Sequence, residues 1–291
     1  MPKSEYFYNY LIICFDRLMQ SREEYIKTYN HEHLFRFRVE IKKIRACLKC
    51  IEDYYRKKEF HKARKQFKKI FSQAGTLREL QIYQTWFRKH HLLQLTKIIR
   101  LPEEIKERQE DFARDSDKII SIIKENRKLI LLYAAKLSQE EVYRFYIRIL
   151  KERLELLREE LEEGKWHKTR KQIKQLRYAR NWQDEKAKRI LSITQTRFLD
   201  QLQHLIGFWH DNEVMKKWLK EKQEESGKMI SSSVKKTSLA KSNHTAGQAF
   251  SRAYDFMEAL KKKTRVLVKN KSKMSGKILR PLAQRLERID V

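Results

Sequence analysis

The chain has 291 residues, 41% of them hydrophobic, which excludes a disordered chain and suffices for one large core or two small ones. Charged residues make up 36%, with only 6 Gly and 3 Pro, a composition that points to long helices. Lys and Arg number 67 against 38 Asp and Glu, and the net charge of +29 implies a polyanionic partner: nucleic acid, polyphosphate or an anionic membrane.

The opening segment MPKSEYFYNYLIICF is apolar only briefly. It is too short to span a bilayer and carries no cleavage signature. Cys14, Cys47 and Cys50 form an odd set with no secretory leader, so a reducing cytoplasm is expected. Cys47 and Cys50 make a C-x-x-C, yet no second pair completes a zinc site. Both lie in a helical pattern and read as buried helix residues.

Helical periodicity dominates. Phe37, Ile41, Ile44, Leu48, Ile51 and Tyr55 recur at alternating spacings of four and three, which makes a core-facing stripe. Similar patterns predict helices over 4–29, 33–56, 60–74, 76–93, 102–135, 138–163, 165–183, 185–206, 208–224, 249–269 and 276–289. No alternating strand emerges. Pro102 fits a helix start. The acidic helix over 152–163 is expected on an outer face, and Gly164 separates it from the basic stretch HKTRKQIKQLRY. The segment 225–247, rich in Ser, Thr and Lys, reads as a mobile loop.

In that basic stretch, helical spacing puts His167, Arg170, Lys171, Lys174 and Arg177 on one face. Like charges so placed repel by a few tenths of a kcal/mol per pair, roughly. An offset of 132 positions carries Arg38 onto Arg170, Lys42 onto Lys174 and Arg45 onto Arg177. It also carries Gly75 onto Gly207, Glu79 onto Asp211 and Trp86 onto Trp218. Lys42, Arg45, Lys174 and Arg177 each directly follow a core residue. One residue is a rotation of about 100°, so both cationic rows flank the buried stripe. Two packed repeats would bring both rows to one groove. Gly75 and Gly207 suit helix C-caps. Trp86 and Trp218 read as core. Glu79 and Asp211 read as salt-bridge partners that orient the groove cations, with metal coordination as the alternative.

These residues resemble the CHAD domain (conserved histidine α-helical domain). Its first repeat has a pattern like H-x-x-R-V-x-x-R-R-x-R, matched by Arg38, Val39, Lys42, Lys43 and Arg45. FKKIFSQAGTLRE resembles its L-K-x-L…L-G-x-x-R-D and contributes Lys68, Gly75, Arg78 and Glu79. The second pattern, H-x-x-R-K-x-x-K-x-x-R-Y, is matched fully by His167, Arg170, Lys171, Lys174, Arg177 and Tyr178. LQHLIGFWHD is similar to L-Q-x-x-L-G-x-x-x-D. The likeness spans roughly 5–290. Phe35 stands where the first repeat has histidine. His33, two residues earlier and about 200° around the helix, cannot replace it, so the first half-site is expected to be the weaker one.

The resemblance implies an all-α fold of two four-helix-bundle-like repeats, 1–135 and 136–291, related by a pseudo-two-fold axis within one domain of 1–291. It implies a basic central groove that binds inorganic polyphosphate through the twelve cationic, histidine and tyrosine positions just named. It implies no catalysis, no cofactor and no metal, and a cytoplasmic location with association to polyphosphate granules. His167 reads either as a phosphate donor or as a structural histidine; Tyr178 reads as a core or groove-wall aromatic. The alternative is a nucleic-acid-binding helical protein, with nucleic acid otherwise the weaker partner. An enzyme would need clustered carboxylates or a nucleophile beside a base, and neither stands out.

Overall fold

The computed structural model describes residues 4–91, 96–97, 99–232, 253, 255, 258–260 and 262–289. The fold is all-α, and no β-strand occurs among the described residues. The first half holds α1 (Glu5–Thr28), α2 (His31–Tyr55), α3 (Lys58–Lys89), α4 (Leu101–Arg114) and α5 (Ser116–Ala134). The second holds α6 (Gln139–Glu162), α7 (Trp166–Asn181), the short α8 (Glu185–Lys188), α9 (Ile193–Ser232) and α10 (Ser275–Glu287).

Local chemistry sets the ends. Asn30 caps α2 by accepting from Glu32 N at 2.9 Å. Ser138 and Glu141 form a reciprocal capping box at the start of α6. Gly164, at φ 70°, separates α6 from α7 as expected. The α2 stripe is buried at Phe37, Ile41, Ile44, Leu48 and Ile51, each side chain contributing about 2 kcal/mol.

Several boundaries differ from expectation. Gly75 and Gly207 are not C-caps; they lie inside α3 and α9, and neither has positive φ. The helices predicted on either side of each glycine are therefore joined through it, although the one predicted over 185–206 is broken after Lys188 and resumes at Ile193. The stretch 102–135 is instead divided at Asp115. The loop expected over 225–247 is helical in its first part, because α9 continues through Ser232. Lys217–Glu221 and Lys220–Glu224 pairs at i,i+4 support the turns of α9 just before that stretch. Residues 233–247 of the expected loop lie outside the described residues. Glu160 is also not on an outer face: it is 8% exposed and accepts from Gln172 Nε2 on α7 at 3.1 Å.

Helix α2 packs against α1, α3 and α5, while α7 packs against α6 and α9. The halves meet where α2 lies on α7 and α1 on α6. Trp182, just after α7, is buried against Phe7 and Tyr10 of α1, with ring centroids 5.7 and 6.2 Å away. Ser4 N donates to Leu137 O at 2.9 Å, joining the start of α1 to the start of α6. Cys47 and Cys50 are free and buried, as read from the α2 pattern, and so is Cys14 on α1. Burial pushes the Cys14 thiol up to about 12.

Candidate functional site

Helices α2 and α7 carry the two cationic rows. Arg38, Lys42 and Arg45 follow the buried Phe37, Ile41 and Ile44, and all three are half-buried. On α7, Arg170 and Lys174 follow the buried Thr169 and Ile173 and are half-buried too, whereas Arg177 is more exposed. Because α2 packs on α7, the rows converge at the boundary between the halves.

Each row rests on the next helix through a glycine. Arg38 Nη1 donates to Ala74 O on α3 at 3.0 Å. A Cβ at Gly75 would lie 3.0 Å from the same Nη1, and one at Gly207 would lie 2.9 Å from Arg170 Nη2. The glycines let a guanidinium lie flat on the neighbouring backbone. Phe71 supports the first row, with its centroid 4.4 Å from Arg38 Cζ, 5.2 Å from Lys42 Nζ and 5.8 Å from Arg45 Cζ.

Burial and neighbouring cations destabilise the charged lysines. Burial, then Lys174, Arg38 and Arg170, bring Lys42 down to about 7 against the opposing pull of Asp211. Lys174 is brought down to about 8 by burial and then Arg170, with Arg38 and Arg177 adding and Asp211 again opposing. Arg38 falls to about 10 through burial, with Glu79 opposing. Burial raises the Glu79 carboxyl, Arg38 opposes, and Asp211 adds to the rise. The expected direct salt bridges are not formed: among the described residues neither Glu79 nor Asp211 has an ion-pair partner within 4.0 Å. Both act at longer range. No group of three or more His, Cys, Asp or Glu is placed to hold a metal among the described residues.

His167 faces His210 of α9, their ring centroids 4.5 Å apart. Beside them Trp166 packs edge-on against Trp209 at 5.0 Å and fixes α7 against α9. Burial, then the adjacent cations, lower His167; burial, then His167, lower His210. At the matching positions of the first half, Arg78 Cζ stands 5.6 Å over the Phe35 ring. The cation–π pair occupies the place of the two histidines.

Other expected residues are placed differently. Lys43 turns to the buried Glu40, with Nζ 2.6 Å from Oε1. Arg177 Nε lies 2.6 Å from Asp200 Oδ1, and the same guanidinium donates to Gln203. Lys68 and Lys171 are exposed. Tyr178 is half-buried against the core, and burial pushes its hydroxyl up to about 12.

Three neighbours of the rows escaped the sequence reading: His210, Asp200 and Phe71. The repeat offset held a signal for His210, since it aligns with Arg78. It held none for Asp200, which aligns with the basic Lys68.

The comparisons bear on this arrangement. The CHAD domain family model matches residues 9–220. A comparison with curated proteins finds no match. The crystal structure of the CHAD domain from the plant Ricinus communis superposes with a TM-score of 0.70 at 16% identity, covering 94% of this chain and 92% of that one. At that identity the likeness shows the fold alone, while the family match spans most of the chain and includes both cationic rows. The chain belongs to the CHAD domain family.

Proposed function

We propose that this protein binds inorganic polyphosphate, without turnover, across the boundary of its two halves. The observation that carries the reading is the central quartet Arg38, Lys42, Arg170 and Lys174. These cations come from two helices, are half-buried, and have no ion-pair partner within 4.0 Å among the described residues. Their mutual repulsion is a cost that a bound chain of phosphates relieves through charge-assisted hydrogen bonds and counterion release. Arg45 and His167 continue the rows. Arg78, Lys68, Lys171 and Tyr178 border them, and Arg177 contributes once released from Asp200. The family's association with polyphosphate supports the choice of polyanion. We place the activity in the cytoplasm, at polyphosphate granules, in one functional unit spanning 1–291. Among the described residues no helix is long and apolar enough to cross a membrane.

The test is binding of long-chain polyphosphate and of duplex DNA to wild type, to a Lys42→Met, Lys174→Met variant and to a Lys217→Gln, Lys220→Gln control. The control lysines are 81% and 67% exposed. The central variant should lose polyphosphate affinity by about a hundredfold, and the control by about threefold or less. Wild type should prefer polyphosphate to DNA by about tenfold or more, since a thin chain reaches half-buried cations more readily than a wide duplex does. Equal losses in both variants, or equal affinity for DNA, would show diffuse electrostatic binding.

A further inference from the structure

The row on α2 does not end at Arg45. Lys49 and Arg56 continue its spacing, one and three turns further on. Both line a cavity of about 440 Å³ at the turn between α2 and α3, together with Lys57, Lys58, His61 and Arg64. Arg45 and Lys49 each feel the charge of Arg64, so row and cavity are electrostatically continuous.

The cavity also holds two carboxylates, Glu52 and Asp53. Both are already engaged. Arg64 Nε lies 3.2 Å from Glu52 Oε2, and His61 Nδ1 lies 3.4 Å from Glu52 Oε1. Asp53 is paired with Arg148, which lies outside the lining. Burial, then Arg153, lower Lys49, with Glu152 on α6 and Asp53 opposing from longer range. Lys49, Arg56 and Lys58 keep no ion-pair partner within 4.0 Å among the described residues.

The second half has only a partial counterpart. The offset that superposes the rows carries Arg56 onto Lys188 and Lys57 onto Arg189, but Lys49 onto Asn181, Lys58 onto Ile190 and Arg64 onto Thr196, and Lys188 is itself paired with Glu185 at 2.8 Å. There the row stops at Arg177, already paired with Asp200. The asymmetry separates this cavity from the repeated centre.

We infer that the α2–α3 cavity is a second phosphate subsite, which takes the trailing segment of a long polyphosphate chain as it leaves the centre on the first-half side. The inference rests on polyphosphate binding at the centre. A chain too short to reach from the quartet to Lys49 gains nothing from the cavity. Lys42 and Lys49 are seven residues apart, about 10 Å along the helix.

The experiment measures tripolyphosphate and long-chain polyphosphate binding, with salt dependence, on a Lys49→Met, Lys58→Gln variant. Wild type, the central Lys42→Met, Lys174→Met variant and the Lys217→Gln, Lys220→Gln control accompany it. Helical circular dichroism checks folding, and Lys49→Arg alone should behave as wild type. The cavity variant should lose about tenfold for the long chain, with a salt slope shallower by about one unit, and keep its tripolyphosphate affinity. Glu52→Gln should strengthen long-chain binding. Unchanged long-chain affinity in the cavity variant, with loss in the central variant, overturns the subsite and leaves the central reading standing. A parallel loss of tripolyphosphate overturns it too, by merging cavity and centre. If neither variant departs from the control, the central reading fails and takes the subsite with it.

Discussion

Arg170 lies across Gly207 so closely that a Cβ there would come within 2.9 Å of Nη2 and 3.2 Å of Nε. Arg38 and Gly75 repeat the relationship at 3.0 Å. In each half an arginine of the cationic row is laid on a neighbouring helix at a glycine.

Gly207→Ala therefore separates function from folding. Alanine favours the helix interior by about 1 kcal/mol. The atom displaced is the end of a flexible side chain, so the helix tolerates the methyl group. Thermal stability should hold or rise slightly, while polyphosphate affinity falls by about fivefold or more as Arg170 is lifted from its place. Calorimetric titration beside a melting curve checks it. A loss of stability equal to the loss of binding would mean that the glycine serves packing alone.

The pH dependence of Lys42 gives a second expectation, with opposite signs for two observables. Its pKa is about 7 in the folded chain, below the ordinary 10.5. Between these values the unfolded state binds more protons, so this group makes stability rise with pH; below about pH 7 its penalty is fully present. Bound polyanion favours the charged amine, so affinity should fall over the same window as protonation of Lys42 becomes costly. From pH 7 to about pH 8.5, unliganded wild type should gain stability relative to Lys42→Met. Polyphosphate affinity should decline in wild type and stay flatter in Lys42→Arg. Parallel pH profiles for wild type and Lys42→Met would remove the lysine from the account.

The two rows were legible because each cation follows a core residue in a clean helical stripe, and because an ungapped offset duplicates them. Their convergence follows from burying both stripes in one molecule. The glycines were misread: a lone Gly between helical patterns looks like a terminus, and only the arginine of another helix explains it inside one. Motif position places Lys43 in the groove but does not reveal the buried acid one turn away, Glu40, with which its ammonium is paired. Asp200 was invisible for a related reason. Its partner Arg177 is on a different helix, and its aligned position in the first half is a lysine.

Phe35 in place of histidine was expected to weaken the first half-site, yet Arg78 stands over its ring where the second half has a histidine pair. A permanent cation thus replaces two groups held toward neutrality by burial. Arg78→His should make affinity more dependent on acidification below about pH 6.5, the ordinary histidine range, whereas His210→Arg should flatten that dependence. Titrations at two pH values decide it; identical pH profiles in both variants would place this pair outside the binding surface.

Asp200 offers the sharpest test of the unequal halves. Its carboxylate holds Arg177 at 2.6 Å, with the two side chains 44% and 43% exposed, so the pair is worth little to stability, about 1 kcal/mol or less. For binding the same contact is a competitor. Phosphate must displace the carboxylate to reach the guanidinium and must approach that negative charge to do so. Asp200→Asn keeps the shape and removes both obstacles. It should raise polyphosphate affinity by about threefold to tenfold with little change in melting temperature. Gain through Arg177 makes the effect conditional, so Arg177→Gln should abolish most of the benefit, and a double-mutant cycle reads that coupling directly. If Asp200→Asn strengthens binding equally with and without Arg177, the gain is only the loss of one negative charge, and the acid does not restrain the second row.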